Sequence, residues 1–163
     1  RRGRGEKSVL DNIYFENIIM KDVCMPFTAN MFYFCDPDGH SDYVQNQDKM
    51  EVNEKTPKIG KIEARDIRCE NVKNIFACLY GLPEMPIEEI ALENITLNFD
   101  RDENIKPVVP IMMDNFPAMC KRGIFAKNIK KLILKNIEIT GSKDSNPFME
   151  NIEDCECIEV KFN

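Results

Sequence analysis

Four octets decide how this chain is read: IYFENIIM (residues 13–20), IEARDIRC (62–69), IALENITL (90–97) and LILKNIEI (132–139). In each, apolar residues hold positions one, three, six and eight, and position five is Asn or Asp: Asn17, Asp66, Asn94 and Asn136. An amphipathic helix would bury positions one, four, five and eight, so the helical template fails. Alternation with period 2 runs on both sides of position five and slips by one residue there. Two short strands meeting at a tight bend give that slip, and Asn tolerates the left-handed backbone such a bend requires.

Each octet is followed by a further apolar stretch: PFTANMFYF (26–34), NIFACLYGL (74–82), PVVPIMM (107–113) and PFMENI (147–152). Three short strands per unit, stacked unit on unit, predict an all-β solenoid of the right-handed parallel β-helix type. CIEVKF (157–162) would begin or cap one further coil. The rival is a β-sandwich, whose strands also recur at even spacing. Against it, Asp38-Gly39 is the one hairpin-type turn, and the repeat survives long insertions.

With 163 residues the chain has the length of one domain. Its 43% hydrophobic and 31% charged residues argue against disorder, and its net charge of −6 against non-specific nucleic-acid binding. No apolar run approaches the roughly 20 residues of a membrane-spanning helix. Seven cysteines, an odd count without a C-x-x-C pair, do not suit a disulfide framework. A single histidine gives a Cys/His zinc site little to work with. The cysteines therefore read as reduced and mostly buried, which favours a reducing, cytoplasmic compartment. The opening RRGRGEK carries neither Met nor an apolar leader, so the chain reads as a piece of a longer protein. An uncapped coil at its N-terminal end would be apolar and open to self-association.

The insertions at 35–58, 82–86 and 115–123 follow the third strand of a coil and are expected to gather along one edge, walling a groove. That edge carries Tyr33, Asp36, Asp38, His40, Asp42, Tyr43, Tyr80, Glu84, Asp114, Lys121 and Arg122. Aromatic faces with Lys and Arg suit a sugar acid, whose ring stacks and whose carboxylate takes charge-assisted bonds. Asp36, Asp38 and Asp42 in DPDGHSD read as turn residues, because the stretch lacks the full run and the distant Glu of a calcium loop. His40, without a nucleophile partner, reads as a surface residue. No phosphate loop, nucleotide fingerprint or nucleophile elbow is present.

NIYFENIIMKDV, PFTANMFYFCDPDG, TPKIGKI, YGLPEMPIEEI, PIMMDNFPAMCKRG and LILKNIEI, in this order, resemble the C-terminal half of glycoside hydrolase family 28, with the nearest likeness to exo-polygalacturonase-like members. The resemblance covers nearly the whole chain. It implies a right-handed β-helix that hydrolyses α-1,4-linked galacturonan with inversion, without a cofactor or metal. The family's signature of Asn-Thr-Asp, Asp-Asp, Gly-His-Gly and Arg-Ile-Lys does not occur here, so the resemblance implies no catalytic residue in this chain. His40 lies in DGH, beyond the point where the family histidine would stand. Residues 1–5 are similar to the glycine-arginine stretch after Arg-Ile-Lys, which would set Arg4 near the cleft. By position Tyr33 corresponds to the tyrosine that stacks near the bound galacturonate. Tyr80, Glu84, Asp114, Lys121 and Arg122 would shape the cleft for an oligogalacturonide. The rival function is a non-catalytic β-solenoid that binds carbohydrate or protein. A calcium-dependent lyase on the same fold is disfavoured by the want of an acidic calcium cluster.

Overall fold

A computed structural model of the chain describes residues 8–163. Nine strands run in the order β1 (Val9–Leu10), β2 (Ile13–Lys21), β3 (Phe27–Asn30), β4 (Lys58–Ile59), β5 (Lys61–Val72), β6 (Ile75–Tyr80), β7 (Ile87–Phe99), β8 (Arg122–Thr140) and β9 (Phe148–Phe162). The one helix among the described residues is the single turn α1 (Asp42–Gln45), capped by Ser41. All pairings between these strands are parallel: β1 with β4, and β2-β5-β7-β8-β6-β3 in one sheet, with β9 on β8. A sandwich of antiparallel strands is thereby excluded. An isolated antiparallel bridge joins Val108 to Met119.

The sheet curls because single strands change partners along their length. β8 pairs with β6 from Arg122 to Lys127, then with β7 from Ile129 onward. It must turn between, and it does so at Asn128, whose φ is 57°. The bends expected from the octets fall where the slip in alternation put them: Asn17, Asp66, Asn94 and Asn136 have φ of 56°, 55°, 52° and 50°. Parallel register stacks these corners, so Asn136 Nδ2 donates to Asn94 Oδ1 and Asn94 Nδ2 to Asp66 Oδ1, each at 3.0 Å. A second file joins Asn151 to Asn128 Oδ1 at 3.0 Å, with Asn128 Nδ2 donating to the Gly81 carbonyl at 2.9 Å. Each bond is worth about 1 kcal/mol net and offsets the cost of left-handed backbone.

Burial follows position in the stack. In the third and fourth octets Ile90, Leu92, Ile95, Leu97, Leu132, Leu134, Ile137 and Ile139 are all buried. The equivalent Phe15 is exposed, and Ile13, Ile18 and Met20 are half-buried, because β2 has β5 as its one partner in the sheet. Opposite, β9 carries a fifth octet, CECIEVKF (155–162), with Cys155 on Leu132, Cys157 on Leu134, Val160 on Ile137 and Phe162 on Ile139. Its corner is Glu159 at φ 53°. A glutamate where the other octets have Asn or Asp hid this copy from the sequence pattern.

Three expectations are corrected. PVVPIMM does not form the third strand of its unit. RGIFAK (122–127), the first part of β8, takes that place on β6, and residues 107–113 run outside the sheet. The insertions do not all leave one edge either: 31–57 and 81–86 follow β3 and β6, but 100–121 follows β7 at another corner. Nor are the cysteines mostly buried. All seven are free, yet Cys24, Cys35, Cys155 and Cys157 are exposed, and only Cys69, Cys78 and Cys120 are buried. Burial pushes the Cys69 and Cys78 thiols up to about 11 and about 12, so both are inert core groups.

Candidate functional site

The segment 100–121 crosses the outer side of the β6–β8 layer and meets the 31–57 segment there. Asn30, the last residue of β3, makes the junction: its Nδ2 donates to the Met112 carbonyl at 3.1 Å while its Oδ1 accepts from Phe32 N–H at 2.9 Å. The Phe34 amide donates to the same Met112 carbonyl at 3.2 Å. Gln45 on α1 is the second tie. Its Nε2 donates to the carbonyls of Phe32 and Gly39 at 2.6 and 2.7 Å, and its Oε1 accepts from Asp114 N–H at 2.9 Å.

DPDGHSD folds as successive tight turns, with Gly39 N–H on Asp36 C=O at 2.8 Å and Ser41 N–H on Asp38 C=O at 3.0 Å. A Cβ on Gly39 would stand 2.0 Å from the Phe34 carbonyl oxygen, so no other residue fits this turn. The turn lays the His40 ring against Phe34, with centroids 4.6 Å apart and planes 24° apart. His40 Nδ1 lies 2.8 and 2.9 Å from the two Asp114 oxygens. His40 is therefore no isolated surface residue. Its partner is 74 positions away in the chain, and nothing in the local pattern of either residue signals the other.

Asp114 holds Nδ1 of the imidazole, and among the described residues Nε2 makes no hydrogen bond, so an incoming ligand meets Nε2. Tyr33, next to Phe34 in the chain, has 41% of its surface exposed. A hydrogen bond to Cys35 raises its phenol above the ordinary 10.0, so it stays neutral in ordinary buffers. Cys35 Sγ also lies 3.2 Å from Met112 Sδ, bridging the two segments a third time. Phe34, His40 and Asp114, with the exposed Tyr33 next to Phe34 in the chain, make a partly exposed ledge with aromatic faces, an imidazole and a carboxylate.

The remaining candidates do not join it. Tyr80 is only 2% exposed: its hydroxyl donates to Gln47 Oε1 at 2.8 Å and its ring packs on Phe32, Phe116 and Phe125. It is a core residue rather than a stacking platform. Glu84 is buried and accepts from Met50 N–H at 3.5 Å, which ties the 31–57 segment down. Lys121 and Arg122 sit at the other corner. There Lys121, 4% exposed, reaches Glu103 at 3.1 Å, and Arg122 reaches Asp144 at 2.8 Å. The cations expected for a sugar carboxylate are thus engaged elsewhere. Arg4 lies outside the described residues. Among the described residues no set of three or more His, Cys, Asp or Glu side chains converges as a metal site. No described helix is long and apolar enough to cross a membrane. Comparison of the chain with protein families, with curated proteins and with solved structures finds no match to any of them.

Proposed function

We propose that the curled sheet is a stretch of right-handed parallel β-helix, and that the chain is the C-terminal part of an inverting, polygalacturonase-like glycoside hydrolase acting on α-1,4-galacturonan. In this reading it supplies cleft wall, and the carboxylates that protonate the leaving oxygen and activate water lie upstream. The observation that carries it is the Tyr33–Phe34–His40–Asp114 ledge, which stands at the position the family resemblance gives to the galacturonate-stacking tyrosine. An exposed phenol ring covers the apolar face of a pyranose, and the outward Nε2 of His40 hydrogen-bonds the sugar.

Titration with trigalacturonate, followed by amide chemical shifts, tests the reading. Shifts confined to residues 30–45 and 110–116, lost in Tyr33→Ala and His40→Ala, are the expected result. No reducing ends are expected from this chain alone, because none of the family's catalytic motifs is in its sequence. That same lack favours a second reading, a non-catalytic carbohydrate-binding solenoid. A longer chain carrying Asn-Thr-Asp and Asp-Asp upstream separates the two: release of galacturonate supports the hydrolase, and binding without release the module. Trigalacturonate binding that Tyr33→Ala and His40→Ala leave untouched would overturn the ledge as the binding site, and no binding at all would overturn both readings.

A further inference from the structure

At the opposite end of the stack from β2, the fifth octet departs from the others in chemistry as well as in its corner. Positions one and three, held by Leu132 and Leu134 in the preceding copy, become Cys155 and Cys157. Their spacing of two places both thiols on one side of β9. Cys155 Sγ is 3.5 Å from Cys157 Sγ and donates to Met149 Sδ at 3.6 Å. Met149 reaches them from six residues earlier, across the corner at Asn151, whose φ is 54°. Cys157 and Met149 also line an open cavity of about 320 Å³ with Ser145, Val160 and Phe162. All three sulfur residues are exposed.

We propose that Cys155, Cys157 and Met149 form a three-sulfur site for one soft monovalent metal cation of the Cu(I) class. Two thiolates and a thioether are the donor set that selects such ions over Zn(II), Mg(II) or Ca(II), which take harder or more numerous ligands. The spacing fits: sulfurs sharing one ion at about 2.3 Å stand roughly 3.7–4.0 Å apart, so small side-chain rotations open the present cluster to that size. Loading one Cu(I) forms two thiolate–metal bonds and one thioether–metal bond and releases the two thiol protons to solvent. No change of oxidation state is involved. The site stands apart from the His40–Asp114 ledge and does not depend on the galacturonan reading.

The test is an anaerobic titration of the reduced full chain with Cu(I) against a chromophoric Cu(I) chelator. Cys24→Ser/Cys35→Ser, which removes the other exposed thiols, should keep one tightly held Cu(I). Cys155→Ser/Cys157→Ser should hold one equivalent fewer than the unmodified chain. Met149→Leu should keep the stoichiometry and lose affinity. X-ray absorption of the loaded Cys24→Ser/Cys35→Ser chain should show a first shell of sulfur alone. Undiminished stoichiometry in Cys155→Ser/Cys157→Ser, unchanged affinity in Met149→Leu, or nitrogen and oxygen in the shell would overturn the site. So would a Cys155–Cys157 disulfide with no metal retained. Should the double serine variant fail to fold, Met149→Leu and the absorption spectrum decide alone.

Discussion

The file of corners at Asp66, Asn94 and Asn136 and the ledge at His40 and Asp114 are held by the same kind of polar bond, yet they arise differently. Each corner residue repeats in the chain at the same place in an octet, and parallel register brings the copies into line. The ledge is assembled once, by two irregular segments that leave different corners and meet over the outer side of the sheet. A repeating contact is supported by the copies above and below it. A contact made once has its own loop bonds, here from Asn30, Phe34, Cys35 and Gln45. The stack should therefore carry the stability, and the ledge should be the part that can change without unfolding the chain.

That contrast can be broken or sharpened in order of size. Leu134→Ala, at a fully buried octet position, should cost about 3 kcal/mol in urea unfolding through lost transfer and the cavity left behind. A cost below about 1 kcal/mol would mean that the stack is not the core. Asn128→Ala should cost about 2 kcal/mol, because it puts alanine at φ 57° and leaves the buried Gly81 carbonyl without its donor. Asn94→Ala, at a solvent-facing corner, should cost about 1 kcal/mol, while Asn94→Gly should recover part of that loss. Equal costs at Asn94 and Asn128 would show that burial of the corner does not matter.

A smaller effect belongs to the outer surface of the stack. Lys21 holds the Glu70 carboxyl below its ordinary 4.5, and Lys130 does the same for Glu88. Both carboxyls are depressed in the folded chain, so their contribution is complete above pH 4.5 and fades as pH falls through the folded values. Glu70→Gln with Glu88→Gln should lower stability near neutrality, leave it unchanged at low pH, and so flatten the acid side of the stability curve. An acid limb identical in the double variant would count against these pairs. Smallest of all, His40→Ala should shift global stability by no more than about 0.5 kcal/mol, since the pair is exposed. It should nonetheless speed proteolysis within residues 31–57, and a global loss as large as that of Asn94→Ala would erase the distinction between ledge and stack.

How much was legible follows the same line. The octets and their bends could be read because the period and the Asn or Asp corner recur. Glu159 breaks that rule, so the fifth copy was read only as CIEVKF. PVVPIMM has the apolar content of a strand, but two prolines remove donors that a ladder needs, and the chain leaves the sheet there. Of the candidate residues, Tyr33 and Asp114 lie on irregular segments outside the strands, where a loop-edge position puts them. Tyr80 and Glu84 were misplaced because residue type suggests a ligand contact and says nothing of depth. The signal that separates Tyr80 is the unbroken apolar run through NIFACLYGL, which marks a strand buried on both faces.

Sequence by itself determined the all-β class, the left-handed corners and the inward side of each octet, because these depend on residues a few positions apart and on backbone sterics common to every copy. Tertiary structure alone decided the meeting of His40 with Asp114, the withdrawal of Lys121 and Arg122 to another corner, and the approach of Met149 to Cys155 and Cys157. Those contacts depend on which corner each insertion leaves and how far it folds back, and no short-range pattern of residues encodes the path of a long irregular segment through space.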